Sequence, residues 1–583
     1  MPGHPSRWGR RRGDRLARAD VPSDTAHHLL VCHNSKIACR CGGGGCSVDG
    51  ERNTTGRCQV GDRYDVVVVG GGAAGLAGAL ALARARRSVL VVDAGEPRNA
   101  PAGGVHNYLT REGTPPGELL AAGRAEVTGY GGQIVTGRVR TAARDDGGFS
   151  LTLADASVLR ARRLLVTTGL VDELPEVPGL ARRWGRDVLH CPYCHGWEVR
   201  DRRIGVLATG PTGVQQAQLW RQWSPHVLLL VHDAPPPNAD ELEELAAREI
   251  TVVDGPVAEL VVAGDTLTGV RLADGGVVDL DALVVAPRFT ARAGLLADLG
   301  LAPVEVELGG HVFGTQIPAD PSGATAAAGV WVAGNVADVR AQVISAAAAG
   351  LTAAAAINAD LVAEETREAV RERRHRVATM FTEQAWEQRY TSRPAVWSGR
   401  PNPQLVAEAS DLAPGRALDV GSGEGADAVW LARRGWRVTA VDISRTALQR
   451  AAAHADDAGV ADRVDWVHAD VREQPPVEAS YDLVSAQFMH LPGEERDVLF
   501  ARLAGAVAVG GTLLIVGHHP WDLRTSVHRM HLPEMMYTPQ ELATGLDPAV
   551  WDVRAEARPR TAVDPQGREI TIHDAVLVAR RRS

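Results

Sequence analysis

The stretch Asp65-Val-Val-Val-Val69-Gly70-Gly-Gly72-Ala-Ala-Gly75 decides the fold of the first half of the chain. Four consecutive valines predict a buried strand, and the Ala-rich segment after the glycines predicts a helix. Backbone N–H groups in such a turn, at the N-terminus of a helix, can bind a pyrophosphate. The order of strand, turn and helix therefore predicts a dinucleotide-binding site at Gly70, Gly72 and Gly75.

An acidic residue supports this prediction. A second predicted strand, residues 88–92, ends at Asp93, which stands 23 residues after Gly70. A carboxylate at that distance is placed to accept hydrogen bonds from the ribose of adenosine. The same strand–helix–strand pattern returns at Ile204 and at Arg416. The chain is therefore predicted to contain several nucleotide-type α/β units.

Composition excludes several classes of protein. The chain has 583 residues, a formal net charge of −9 and 45% hydrophobic residues. That length predicts about three to five domains, and the hydrophobic content excludes a disordered chain. The acidic balance argues against nucleic acid or an anionic membrane as a partner. We find no apolar run of ~18 residues, so no membrane span is expected.

The cysteines are unevenly distributed. Five of the seven lie within the first 58 residues, and the other two are Cys191 and Cys194. A secreted disulfide scaffold would spread its cysteines through the folded domains, so this distribution favours a reducing compartment and a cytoplasmic protein. Residues 1–62 are predicted to form a disordered tail rich in Cys, Arg and Gly. A metal site is the alternative there, but the cysteines lack the paired spacing of zinc modules, and we assign no metal ligand.

Two later segments indicate which dinucleotide is bound. Residues 164–169 resemble the strand and turn of two-dinucleotide flavoproteins, and residues 329–335 resemble their second flavin motif. An amide stands where that motif usually carries an acidic residue against the ribityl chain, and an amide can still donate and accept hydrogen bonds. An Ala-rich helix would then direct its N-terminus at the flavin ring and favour negative charge there. The resemblance thus assigns FAD contacts to Thr168, Gly169, Gly334, Asn335 and Gln342.

Between these segments lies Cys191-Pro-Tyr-Cys194-His195-Gly196. A C-x-x-C pair in a βαβ context indicates a redox-active dithiol. The adjacent His195 can serve as an acid or a base in thiol–disulfide exchange. The structural alternatives are a disulfide brace and half of a zinc site.

With these motifs, residues 64–365 resemble the low-molecular-weight thioredoxin reductases, which insert a nucleotide-type domain carrying C-x-x-C into an FAD domain. The resemblance implies that Cys194 lies against the flavin and that Cys191 exchanges with substrate. His195 replaces the aspartate usual in that family, and the motif is closer to the dithiol oxidases of gliotoxin and holomycin pathways. We expect a small dithiol or thiol as partner, or alternatively a thioredoxin-like protein, and a homodimer through the flavoprotein domain.

The inserted domain has a weakened nucleotide motif. Its loop keeps Gly210 and Gly213, but Ala208 replaces the first glycine of the pattern. The following strand ends in His232-Asp233 and three prolines, where NADPH specificity needs an arginine or lysine for the 2′-phosphate. NAD(P)H is therefore doubtful, and we predict that a dithiol supplies electrons and oxygen accepts them. An NAD(P)H-dependent thioredoxin reductase is the alternative.

The second half carries a different glycine turn. Ala417-Leu-Asp419-Val-Gly421-Ser-Gly423-Glu-Gly425 resembles motif I of class I S-adenosylmethionine methyltransferases. In that resemblance Asp442, after the next strand, binds both ribose hydroxyls, and Asp470 lies at the adenine edge. Segments around Trp386, Tyr390 and Trp397 resemble the N-terminal cover of thiopurine- and tellurite-type methyltransferases. Three histidines follow predicted strands where substrates usually lie, and any of them could be a base: His490, His518 and His519.

Together these observations predict an α/β bifunctional enzyme, a two-dinucleotide-binding flavoprotein followed by a Rossmann-like methyltransferase that S-methylates a related thiol. A flavin- and S-adenosylmethionine-binding redox sensor is the alternative from another class. The predicted domains are the tail (1–62), a first FAD-binding segment (63–175), an inserted NAD(P)-like domain (176–292), a second FAD-binding segment (293–362), a charged linker (363–380) and the methyltransferase (381–583).

Overall fold

The computed structural model describes residues 63–308, 310–525 and 532–583, so the predicted tail lies outside the described residues. The first part of the chain forms a sheet that we call the FAD layer. Its strands β3, β2, β1 and β6 are parallel in that order, and β5 and β4 continue the sheet as antiparallel strands. Its elements are β1 (Tyr64–Val69), α1 (Ala73–Arg84), β2 (Val89–Asp93), α2 (Pro116–Gly129), β3 (Gln133–Thr136), β4 (Val139–Asp145), β5 (Gly148–Leu153), β6 (Val158–Val166) and β7 (Leu170–Glu173). All four valines of β1 are buried because helices cover one face of this sheet and further strands cover the other.

A second nucleotide-type layer follows, a parallel sheet in the order β11-β10-β9-β15-β8, with a three-stranded antiparallel sheet of β12, β13 and β14. Its elements are α3 (Leu180–Arg183), β8 (Val188–Leu189), α4 (Pro192–His195), β9 (Ile204–Leu207), α5 (Gly213–Trp220), β10 (Val227–Leu230), α6 (Ala239–Ala247), β11 (Thr251–Val253), β12 (Val257–Ala263), β13 (Thr266–Leu272), β14 (Val277–Asp279) and β15 (Ala282–Val285). The C-x-x-C motif spans the start of α4, with Cys191 as the N-cap and Cys194 within the helix.

The chain then returns to the first layer. It forms β16 (Arg288–Ala291), β17 (Val304–Leu308), β18 (His311–Gln316) and β19 (Val330–Val332), followed by the helix α7 (Val343–Met380). Strand β19 joins the FAD sheet beside β6, and β16 pairs with β7. These pairings bring the second flavin motif next to the first.

Helix α7 is 38 residues long and includes the segment 363–380, which is charged and largely exposed. Its first half presents one buried stripe, formed by Ala346, Gly350, Ala353, Ile357 and Leu361, to the FAD layer. By length and mean hydropathy α7 could cross a membrane, contrary to the expectation from the sequence. Part of this apolar composition belongs to the buried stripe, which packs against α1 as a core helix does.

The crossing of α1 and α7 depends on Gly350. A Cβ atom added there would overlap the backbone carbonyl of Ala74, and the facing Gly78 would place a Cβ 3.0 Å from the Gly350 carbonyl oxygen. Two helices therefore approach backbone to backbone at this position.

Ion pairs hold α7 where it leaves the FAD layer. Arg162 and Arg163 of β6 contact the acidic residues of the helix, with Arg162 Nη1 2.8 Å from Glu365 Oε1 and Arg163 Nε 2.6 Å from Asp360 Oδ2. Hydrogen bonds from Arg87 and Arg162 lower the pKa of Glu365 to about 2. The helix is thus fixed by packing on one side and by charge at its exit.

The last layer is a seven-stranded sheet in the order β22-β21-β20-β23-β24-β26-β25, in which only β26 runs antiparallel to the other strands. Its elements are α8 (Glu383–Thr391), α9 (Pro403–Ala409), β20 (Arg416–Val420), α10 (Ala426–Arg433), β21 (Arg437–Asp442), α11 (Arg445–Asp457), β22 (Val464–His468), β23 (Tyr481–Gln487), α12 (Gly493–Ala506), β24 (Val507–His518), α13 (Pro539–Ala543), β25 (Trp551–Val563) and β26 (Glu569–Arg581). Val377 and Met380 at the end of α7 pack against the core of this layer.

We expect Gly350→Ala to lower the melting temperature by about 2–10 °C, because the added methyl group would force α1 and α7 apart. Thermal unfolding followed by circular dichroism measures this, with Leu351→Ala on the exposed face as the matched control. Alanine is the better helix former by about 1 kcal/mol, so a rise in melting temperature would contradict the close crossing.

Candidate active sites

The FAD layer contains a cavity of about 980 Å³. Both glycine motifs and the C-x-x-C helix open onto it. Its walls include eleven residues singled out from the sequence, Gly70, Gly72, Asp93, Thr168, Gly169, Cys191, Cys194, His195, Gly334, Asn335 and Gln342. Gly75 lies behind the wall, where it packs against the Gly70 carbonyl and Thr167. Residues from five separate regions of the sequence thus meet at one cavity.

Asp93 lies at the end of the cavity expected to hold adenosine. Burial by itself raises the pKa of Asp93, but hydrogen bonds from Arg124 and from the Gly95 N–H outweigh it, so the pKa lies below its ordinary value. Arg124 Nη2 is 2.5 Å from Asp93 Oδ2. The carboxylate is therefore ionised and able to accept hydrogen bonds from ribose hydroxyls.

Asn335 is held by its own loop. Its Nδ2 donates to the carbonyls of Asp338 and Ala341, at 3.1 and 2.9 Å, and its Oδ1 accepts from Arg98 Nη1 at 3.4 Å. Arg98 also pairs with Asp172 at 2.6 Å. Sequence reasoning missed Arg98, which belongs to none of the motifs considered, although it brings a guanidinium to the cavity wall.

The N-terminus of α7 opens onto the same cavity. Gln342 is its N-cap and makes no side-chain capping hydrogen bond. The first N–H groups of the helix are oriented toward the space expected to hold the flavin, where the helix dipole favours negative charge. This arrangement suits a flavin that gains negative charge on reduction.

Cys191 and Cys194 form a disulfide across the turn of α4. The adjacent His195 has both ring nitrogens buried, and no described residue hydrogen-bonds to them. Burial lowers the pKa of His195, so the ring is neutral at pH 7 and can take a proton. A smaller cavity of about 300 Å³ lies beside it and is also lined by His106 and Glu198.

His190, immediately before the motif, was missed by the sequence reasoning. Its ring meets Phe289 edge-on at 5.1 Å between centroids, and it lines the large cavity. Burial, together with the nearby Arg98 guanidinium, lowers the pKa of His190 to about 4. The dithiol therefore stands between two neutral histidines. In the sequence, the one feature that could have singled out His190 as a site residue is its position next to Cys191.

The glycine loop of the inserted domain faces another region of the chain. A Cβ on Gly210 would lie 3.0 Å from Nε2 of His311, which belongs to β18. At the end of β10, His232 Nδ1 accepts the Val257 N–H at 3.0 Å and His232 Nε2 lies 3.2 Å from Asp233. The His311 imidazole thus lies next to the glycine loop. Asp233 stands where a 2′-phosphate would need a basic residue.

In the last layer the second glycine turn meets Asp442. The carboxylate accepts the N–H groups of Gly423 and Ser444, at 2.8 and 2.9 Å. Burial raises the pKa of Asp442 despite these bonds, and burial also raises that of Asp419, with Asp427 and Asp442 nearby. Asp442 therefore orders the turn and keeps lone pairs for a ligand hydroxyl.

Asp470 has a strong partner within the chain. Both of its oxygens contact Arg472, the shortest distance being 2.6 Å, and Oδ1 also accepts the Arg472 N–H. Burial raises the pKa of Asp470, but the hydrogen bonds from Arg472 outweigh it and the net shift is downward. An adenine contact at Asp470 stays a prediction.

The aromatic cover lies against the glycine turn. Trp397 Nε1 donates to Tyr390 Oη at 2.9 Å, and both atoms lie about 3 Å from where a Cβ on Gly423 would stand. Glu424 accepts the backbone N–H groups of this segment and pairs with Arg450 at 2.8 Å. Sequence reasoning missed Glu424 and Arg450, which fasten the cover to the turn.

Comparison with known proteins identifies both halves. The pyridine nucleotide-disulphide oxidoreductase model matches residues 64–350, and a methyltransferase domain model matches residues 417–511. Thioredoxin reductase tcpT of Claviceps purpurea is 32% identical over 248 residues, which cover 41% of this chain and 77% of that protein. The chain belongs to the pyridine nucleotide-disulphide oxidoreductase family. It adds a methyltransferase domain to the family's FAD-dependent fold, which confirms the predicted fold class and bifunctional architecture.

Other members of the family give the same result. Thioredoxin reductase sirT of Leptosphaeria maculans is 29% identical over 316 residues, covering 51% of this chain and 93% of that protein. The crystal structure of HlmI has 46% sequence identity and a TM-score of 0.50, covering 54% of this chain and 97% of that chain. Thioredoxin reductase aclD of Aspergillus oryzae is 41% identical over 154 residues, 25% of this chain, so the match spans about half the length of that relative.

The two matches imply FAD and S-adenosylmethionine as cofactors. The chain's own residues fit both groups. The large cavity offers a glycine turn, an ionised Asp93 and a helix N-terminus for FAD. The second glycine turn offers Asp442 and an aromatic cover for the methyl donor.

We expect Asp442→Asn to weaken S-adenosylhomocysteine binding by about tenfold or more, because the amide must turn a donor toward either the Gly423 N–H or the ligand. Isothermal titration calorimetry of the full chain measures this. Asp465→Asn, at an exposed position on the neighbouring strand β22, is the matched control. Equal affinities for the two variants would contradict the assignment of Asp442.

Proposed function

We propose that the flavoprotein half oxidises a small dithiol to its disulfide and delivers the electrons through FAD to oxygen, and that the second half methylates a related thiol. The observation that carries the first proposal is the disulfide of Cys191 and Cys194 at the wall of the FAD cavity, while His311 faces the nucleotide loop of the inserted domain. A redox-active disulfide at the FAD cavity, together with a nucleotide loop that has lost its first glycine and faces His311, favours electrons arriving from a thiol.

In the proposed cycle a substrate thiolate attacks Cys191 Sγ, which forms a mixed disulfide and releases Cys194 as a thiolate. The second substrate thiolate then attacks the substrate sulfur of that bond, closes the substrate disulfide and releases Cys191. Two electrons remain on the cysteine pair, and His195, neutral at pH 7, accepts a proton from the attacking thiol. FAD bound in the cavity would supply a two-electron acceptor for the cysteine pair, with oxygen as the final electron acceptor.

The surroundings of the dithiol favour a small partner. Cys191 and Cys194 are only partly exposed, and both line the cavity. We propose a cytoplasmic enzyme that acts on a small molecule as a homodimer formed through the flavoprotein half, with a thioredoxin-like protein as the alternative partner.

Anaerobic mixing separates the oxidase from a reductase. We expect dithiothreitol to bleach the 450-nm flavin band faster, by about tenfold or more, than equal concentrations of NADPH or NADH, since thiols exchange directly with the disulfide. Stopped-flow absorbance measures the three rates. Cys191→Ser and Cys194→Ser should each abolish reduction by the dithiol. Fast bleaching by NADPH alone would support a thioredoxin reductase, and slow bleaching by all three would support a sensor.

The proton-accepting role of His195 has its own test. We expect His195→Gln to slow anaerobic flavin reduction by dithiothreitol by about 10²-fold, the lower range for loss of a general base. His226→Gln, at an exposed histidine of the same domain, is the control and should leave the rate unchanged. Similar rates for both variants, with the flavin content unaltered, would exclude His195 as the base.

A further inference from the structure

One side chain closes the loop between the second flavin motif and α7. Asn335 donates both hydrogens of its amide, at 3.1 Å to the carbonyl oxygen of Asp338 and at 2.9 Å to that of Ala341. These carbonyls stand at the two ends of a turn, since the Ala341 N–H donates to the Asp338 carbonyl at 3.1 Å. The amide therefore ties both ends of the turn that leads directly into Gln342, the N-cap of α7.

An amide matches the three groups that surround this side chain. The two carbonyls can only accept, so they need a donor, whereas the Arg98 guanidinium can only donate and faces Asn335 Oδ1 at 3.4 Å. An aspartate at this position, as the resemblance leads us to expect, would bring carboxylate oxygens against both carbonyls and lose both hydrogen bonds. With both N–H groups used, the amide has no hydrogen left to donate to a ribityl hydroxyl.

The guanidinium of Arg98 is itself held firmly. It forms two hydrogen bonds with the Asp172 carboxylate, at 2.6 and 2.9 Å, and it lies over the Phe289 ring, 5.2 Å from the centroid. The side chain of Asp172 is 9% exposed, so the ion pair is largely shielded from solvent. Arg98, Asp172 and Asn335 all line the large cavity, and their formal charges sum to zero.

This arrangement bears on the flavin because the turn sets where α7 begins. Gln342 makes no side-chain capping bond, so the first N–H groups of the helix stay open to the cavity. The partial positive charge of a helix N-terminus acts over about one turn, which makes the position and direction of that end decisive. The amide of Asn335 thus controls where this charge lies, and the Arg98–Asp172 pair adds no net charge of its own.

We propose that Asn335 is a positioning residue, which directs the α7 N-terminus at the flavin and is not a ligand of the ribityl chain. In the same proposal, Arg98 and Asp172 keep this part of the cavity wall free of net negative charge, which favours electron uptake by the flavin. The inference concerns FAD binding alone, so it holds whether a dithiol or NAD(P)H supplies the electrons.

Replacement of Asn335 by alanine and by aspartate separates positioning from ribityl binding. We expect Asn335→Ala to weaken FAD binding by about tenfold, since two hydrogen bonds are lost, and Asn335→Asp to weaken it further because the carboxylate repels both carbonyls. A ribityl ligand would give the opposite order, since a carboxylate accepts hydrogen bonds from hydroxyls more strongly than an amide does. Dilution of the full-chain holoenzyme, followed by the fluorescence of released FAD, measures the dissociation constants.

Asn358→Asp is the matched control. It adds the same charge to the same helix, where Asn358 Oδ1 accepts from Arg87 Nε at 2.7 Å, but about 24 Å from the N-terminus of α7. We expect the parent affinity for FAD in this variant, and circular dichroism checks that each variant retains its fold. FAD affinity in Asn335→Asp equal to or above that of the parent protein would overturn the positioning role.

The midpoint potential of the bound flavin tests the charge balance and does not depend on turnover. We expect Asn335→Asp to lower it by about 30 mV or more, which corresponds to a tenfold loss of affinity for reduced relative to oxidised flavin. The double variant Asp172→Asn, Asn335→Asp moves the carboxylate to the other side of Arg98 and restores the net charge. Its potential should recover at least half of the shift while its FAD affinity stays weak. An unchanged potential in Asn335→Asp, or no recovery in the double variant, would overturn the charge balance.

Arg98 offers a test that keeps both hydrogen bonds from the Asn335 amide to the turn. Arg98→Met leaves Asp172 without its cation, so we expect a lower flavin potential than in the parent protein. Arg98→Lys retains the positive charge and should keep most of the parent value. Spectroscopic titration of the full-chain holoenzyme against a reference dye measures both potentials, and equal potentials in the two variants would contradict the role of the Arg98 charge.

Discussion

The backbone contact between α1 and α7 at Gly350 is the constraint on which much of the chain depends. α1 carries at its N-terminus the glycine turn expected to bind the pyrophosphate, and α7 begins at the end of the same cavity expected to hold the flavin. If α1 and α7 could not approach this closely, the glycine turn before α1 and the flavin motif before α7 would lie further apart than a single FAD molecule requires. The same helix continues past its ion pairs with Arg87, Arg162 and Arg163, and its end packs against the methyltransferase core.

Burial sets the chemistry of both halves. In the flavoprotein half, burial keeps His190 and His195 neutral on either side of the cysteine pair, so proton acceptors stand next to a group that must exchange thiols. In the methyltransferase half, burial raises the pKa of Asp442, and backbone N–H groups fix the carboxylate in place. Each half thus pairs a glycine turn with a side chain whose protonation is determined by its surroundings.

Much of this could be predicted from the sequence, because glycine turns between strands and helices are local features. Each glycine turn follows the strand predicted for it, and Asp93 and Asp442 stand at the ends of the next strands, as expected. The family comparisons confirm both domain types. Residues that act across the fold carry no such local pattern. Arg98, His311 and Glu424 reach their sites only through tertiary packing. The sequence analysis did not predict a helix as long and apolar as α7. Small residues in its first half allow the close packing against α1.

The length of α7 has a consequence for how the two activities share a chain. At 1.5 Å per residue, its 38 residues span about 57 Å from the flavin cavity to the methyltransferase core. A molecule released from one centre is not tethered, so covalent fusion gives it no effective-concentration advantage at the other. What the helix does supply is a fixed one-to-one ratio of the two activities. Oxidation and methylation would then compete for a common pool of thiol in solution, and the outcome for each molecule would depend on relative rates rather than on transfer between sites.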